Sequence, residues 1–74
     1  MTKQQYEVLR FIQDYIHTTN ISPTYTEIRE NCSLSADSHA HKIVSALVKN
    51  NYLELDPSGI RKIRLSKTDG NNNA

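Results

Sequence analysis

The chain has 74 residues, enough for one small domain and too few to wrap a catalytic cleft of ordinary size around a core of its own. Nine Lys and Arg against eight Asp and Glu leave a formal net charge of +1, so bulk charge neither demands nor excludes a nucleic acid. One cysteine, Cys32, excludes an internal disulfide and a thiolate metal cage, and it suits a reducing cytoplasm.

No segment approaches the length of a membrane span, and Arg10 and Asp14 interrupt any apolar run that could act as a signal peptide. The charges are unevenly placed. Residues 1–31 hold three bases (Lys3, Arg10, Arg29) and four acids, whereas residues 32–74 hold six bases (Lys42, Lys49, Arg61, Lys62, Arg64, Lys67) and four acids. Positive charge therefore gathers in the second half, as an electrostatic footprint requires.

Thr2 and Gln5 form a capping-box pattern, with Met1 and Tyr6 at the two staple positions. A helix is expected from Lys3 to about Thr18, with Val8, Leu9, Ile12 and Ile16 as its inner stripe and Phe11 and Tyr15 widening it. His17 falls where it can meet the helix dipole. Thr24 and Glu27 repeat the capping box after Pro23, so a second, brief helix should run from Tyr25 to about Asn31, with Ile28 and Cys32 inward.

The chain then turns, with Leu34 as a buried plug, and a third helix is expected to begin near Ser35 or Ala36 and to stop at Asn50 and Asn51. At about 100° per residue, Ala40, Ile43, Val44 and Leu47 share an apolar stripe with Val48 at its edge. The opposite face carries Ser38, His41, Lys42, Ser45 and Lys49, flanked by His39 and Ala46, and holds no carboxylate. A solvated helix ordinarily mixes acid with base, so a face of hydroxyls and cations has two readings, a helix that lies against nucleic acid and a merely exposed face. His39 and His41 lie about 200° apart around the helix, which argues against a shared metal ion.

Leu53 and Leu55 alternate with polar residues as a strand should, Asp56-Pro57-Ser58-Gly59 fits a type I turn, and Ile60 to Leu65 returns with Ile63 and Leu65 inward. Three helices and a hairpin make a mainly α domain with a small β element, a winged helix-turn-helix over residues 1–65. Arg61 and Lys62 fall near the wing tip, and the Asn-rich segment 66–74 is expected to be a disordered tail. There is no nucleophile with its base, no pair of carboxylates at useful spacing and no phosphate loop. The expectation is a non-enzyme without cofactor, metal or small-molecule ligand.

Three stretches together resemble the N-terminal DNA-binding domain of the LexA repressor family, from Met1 to Leu65 without a gap. They are Thr2, Gln5, Glu7 and Val8; Ser22-Pro23-Thr24 with Glu27-Ile28; and Ala46-Leu47 followed by Tyr52-Leu53-Glu54-Leu55 and Ile63-Arg64-Leu65. The resemblance implies a third helix set in the major groove, with base-reading positions on Ser38, His39, His41 and Lys42 and with Ser35 and Ala36 where that helix begins. The family's Asn, Ala and Glu are replaced at the first three and its Glu at Lys42, so the family's operator sequence does not transfer. The resemblance also brings a self-cleaving protease domain for which 74 residues leave no room, so either a stand-alone bacterial or phage relative or an excised domain is expected.

On duplex DNA, His41 and Lys42 would donate to guanine O6 and N7, and Ser35, Ser38 and His39 would meet base edges beside them. Thr24, Tyr25, Ser45, Lys49, Arg61 and Lys62 would meet the backbone. The expected function is sequence-specific binding of double-stranded DNA in transcriptional regulation, possible as a homodimer or with a protein partner. The competing expectation is a winged-helix adaptor for a repressor, polymerase or replication protein, for which Tyr25, Tyr52 and Ile60 are the candidate apolar patch.

Overall fold

Two four-residue capping boxes fix where the first two helices begin. In the computed structural model, which describes residues 1–56 and 62–66, helix α1 spans Lys3–Thr19. The Gln5 amide donates to Thr2 Oγ1 at 3.0 Å and the Thr2 amide to Gln5 Oε1 at 3.1 Å. Two of the amides that a helix start leaves orphaned are thereby satisfied. Met1 and Tyr6 do not close as a staple, since both are more than half exposed.

The helix ends where Asn20 turns left-handed (φ 63°) and returns its amide to the Ile16 carbonyl at 2.8 Å. Helix α2, Tyr25–Asn31, opens with the second capping box, Thr24 and Glu27. It closes through a left-handed Ser33 (φ 57°), with the Leu34 amide donating to the Arg29 carbonyl at 3.0 Å. That bond delivers Leu34 into the core, where it is buried.

Helix α3 spans Asp37–Lys49. It begins one to two residues later than its polar face suggested, because Ala36 is extended and Asp37 takes the first turn. Its end is a Schellman motif around left-handed Asn51 (φ 69°): the Tyr52 amide donates to Leu47 O at 2.9 Å and the Asn51 amide to Val48 O at 3.0 Å. The turn drops the chain into strand β1, Leu53–Leu55, which pairs antiparallel with β2, Ile63–Leu65, in the register Leu53 to Leu65 and Leu55 to Ile63.

All five elements feed one core: Val8, Leu9 and Ile12 from α1, Ile28 from α2, Ala40, Ile43, Val44 and Leu47 from α3, Leu53 and Ile63 from the strands, and Leu34 from the turn. Full burial of a side chain such as Ile12, Ile28 or Leu47 contributes about 1.5–3 kcal/mol. Leu55 departs from the expected pattern. It stands 38 % exposed while its cross-strand partner Ile63 is buried. The β2 side is tied to the α1–α2 connector, where the Ile63 amide donates to buried Ser22 Oγ at 3.0 Å.

Three helices with an antiparallel hairpin behind the second pair constitute a winged helix-turn-helix. Pro57, Ser58 and Gly59 of the type I turn expected at the wing tip, together with Ile60 and Arg61, lie outside the described residues, as do residues 67–74 of the expected tail 66–74. Ser66 is buried, with its amide on the Tyr52 carbonyl at 3.4 Å.

Candidate nucleic-acid interface

The α3 face is aimed by a polar clamp at its first turn. Arg29 Nε donates to Asp37 Oδ1 at 2.6 Å, and Thr26 Oγ1 donates to Asp37 Oδ2 at 2.7 Å. Both donors stand on α2, so the two helices of the motif are fastened at the place where α3 begins. The Thr26 hydroxyl, and after it Arg29, hold the Asp37 carboxyl below its ordinary range. An acid at a helix N-terminus also complements the helix dipole.

Beyond that first turn the polar face is open. Ser38, His41, Lys42, Ser45 and Lys49 are exposed, His39 and Ala46 are half-buried on the flank, and Ser35 is exposed just before the helix. None of Ser38, Lys42, Ser45 or Lys49 makes a side-chain hydrogen bond or ion pair among the described residues. The stripe of Ala40, Ile43, Val44 and Leu47 behind them is buried, so the face cannot turn inward.

One side of this face is bounded by α2. The rings of Tyr25 and His41 meet at 5.0 Å between centroids, tilted by 55°. Together with Asp37, Ser38 and Lys42 they line an open groove of about 420 Å³. The Tyr25 hydroxyl is buried and has no hydrogen-bond partner among the described residues. Its burial pushes the phenol pKa up. Thr24, by contrast, is committed to its capping box.

On the wing, Lys62 is half-buried and its carbonyl accepts from the Asp56 amide at 2.7 Å, extending the ladder past the Leu55–Ile63 pair toward the loop. Arg64 Nη1 lies 3.6 Å from Asp56 Oδ2, which offsets part of the wing's positive charge. Arg61 lies outside the described residues. Of the apolar patch expected for a protein-binding module, Tyr25 and Tyr52 are half-buried against the core and Ile60 lies outside the described residues.

Residues 1–62 match the family described as the LexA DNA binding domain. The chain belongs to that family. It is 33 % identical over 67 residues to a LexA repressor of Erythrobacter litoralis, covering 90 % of this chain and 29 % of that protein. It is 31 % identical over 65 residues to a LexA repressor of Novosphingobium aromaticivorans, covering 88 % of this chain and 28 % of the relative. The chain thus spans less than a third of the length of either curated LexA repressor.

In this LexA-family domain, composition alone did not reveal Thr26, Arg29 and Asp37 as the parts that fasten α3 to α2. The signal was present: Thr26 and Arg29 stand three apart on one face of α2, with an acid following one short turn later. The Tyr25–His41 contact left no such trace, since it depends on how the two helices cross. No cluster of three or more His, Cys, Asp or Glu that could hold a metal ion occurs among the described residues, and no described helix is long and apolar enough to cross a membrane.

Proposed function

We propose that this chain is a sequence-specific double-stranded DNA-binding protein acting in transcriptional repression, with α3 in the major groove and the wing on the backbone. The observation that carries the reading is the exposed, carboxylate-free run of Ser38, His41, Lys42, Ser45 and Lys49 on a helix whose other side is buried. Family membership and the LexA repressor relatives support it. His41 and Lys42 donate to guanine O6 and N7, while Ser35, Ser38 and His39 meet base edges on either side. Ser45 is small enough for close approach, and Lys49, Arg61 and Lys62 reach phosphates that fix register, whereas the buried Tyr25 hydroxyl is turned away from any such contact.

A single domain with this few contacts binds weakly, on the order of 10⁻⁴ to 10⁻⁶ M for the sequence-independent part at physiological salt. Useful occupancy then comes from two copies on repeated half-sites, whose separation follows the helical repeat of the duplex. The test is selection of bound duplexes from random DNA at two salt concentrations. Enrichment of one motif supports the reading, and the salt slope counts the phosphates neutralised. A pool that binds with no motif, or that does not bind, overturns it.

A further inference from the structure

The groove between α2 and the α3 face has walls unlike the rest of that face: almost all of the surface it exposes is carbon. Because the Tyr25 oxygen is itself buried, Tyr25 offers the groove its ring rather than its hydroxyl. His41 leans on that ring, and Lys42 adds its methylene stem. Asp37 is one of the lining residues, and its carboxylate, held ionised by Thr26 and Arg29, disfavours a phosphate oxygen there. Among the groups on base edges in a major groove, the one apolar group is the methyl on C5 of a pyrimidine.

We propose, building on the DNA reading above, that this groove receives the 5-methyl group of a pyrimidine, and that Tyr25 and His41 set specificity at that base position. Thymine and 5-methylcytosine both carry the methyl. Thymine presents a C4 oxygen suited to the Lys42 ammonium, and 5-methylcytosine presents a C4 amino group suited to Asp37. The site discriminates by burying carbon, in addition to the hydrogen bonds that His41 and Lys42 make to the neighbouring guanine.

The experiment measures affinity of the full chain for its selected duplex by fluorescence anisotropy. Each thymine is replaced singly by deoxyuridine, and each cytosine singly by 5-methylcytosine. At one position, removing the methyl weakens binding roughly fourfold, the size expected for one buried methyl. Response in the thymine series assigns thymine, and response in the cytosine series assigns 5-methylcytosine. Tyr25→Phe keeps the ratio, whereas Tyr25→Ala brings it to about one while duplex binding persists. His41→Ala, at an exposed position that does not disturb the core, also lowers it and serves where Tyr25→Ala fails to fold. Binding that ignores the methyl at every position overturns the proposal and leaves the DNA reading standing. A Tyr25→Ala loss equal on both duplexes, with a shallower salt slope, overturns it in favour of a phosphate contact. Failure to bind any duplex overturns both.

Discussion

Arg29 and Asp37 close a 2.6 Å charge-assisted contact across the turn between α2 and α3, and the Thr26 hydroxyl takes the second carboxylate oxygen. The clamp costs neither helix a core position, because all three side chains stand at the surface rim of the motif. It fastens the first turn of α3 to α2.

The clamp makes stability depend on acid. Thr26 and Arg29 lower the folded-state pKa of Asp37, so its contribution is complete above the unfolded value, about 3.9, and is lost as pH falls through the folded value. Asp37→Asn should therefore melt below the parent chain at pH 7, and the gap should close on acidification below pH 4. Thermal melts followed by circular dichroism across that range check it. A gap that stays constant down to pH 2 would show that the carboxylate charge is not what holds the clamp.

Ser22→Ala leaves the Ile63 amide without its acceptor beneath the hairpin. An unsatisfied buried amide costs about 1–3 kcal/mol, and the loss should localise. Amide hydrogen exchange should speed up at Ile63 while Val8 and Ile12 in α1 follow only the global change.

Tyr25→Phe removes a buried hydroxyl that has no partner among the described residues. Stability should hold or rise by up to about 1 kcal/mol, measured by urea unfolding at neutral pH. The phenol pKa is raised by burial, so its neutral form contributes stability that is present below the unfolded value near 10 and lost as pH rises through the folded one. Tyr25→Phe should be free of that alkaline loss. A marked destabilisation at pH 7 would mean that the hydroxyl has a partner in solution.

On DNA, His41→Ala with Lys42→Ala should cost about tenfold or more on the selected duplex. Lys3→Ala, at the far end of α1, should cost little. Both chains should melt as the parent does, since all three side chains are exposed. Lys62→Ala should weaken binding evenly across duplexes and reduce the salt slope by about one. Equal losses from Lys3→Ala and the α3 double substitution would remove the α3 face from the contact.

What could be read from the chain was local. A capping box is four residues long, so Thr2 with Gln5 and Thr24 with Glu27 announced two helix starts directly. The stop at Asn51 is equally local, since a left-handed residue after an apolar stripe needs only Asn or Gly. The α3 stripe was legible because its period is carried by four residues within eight positions. Met1 and Tyr6 misled, because sequence position does not say whether a staple finds anything to cover. Leu55 misled for a related reason: alternation assigns a face, and only the packing beyond it decides how much of that face is buried. Of the candidate site, the exposed cations and hydroxyls were visible in advance. Tyr25 against His41 and Asp37 against Arg29 were not, because both depend on the crossing of two helices.

The bond from Ile63 to Ser22 joins positions 41 residues apart. During synthesis the connector between the first two helices therefore stays unlatched until residue 63 has cleared the ribosome. The hairpin is the keystone of this domain, and a nascent chain halted after the third helix would present the candidate contact residues of α3 without that latch on the connector behind them.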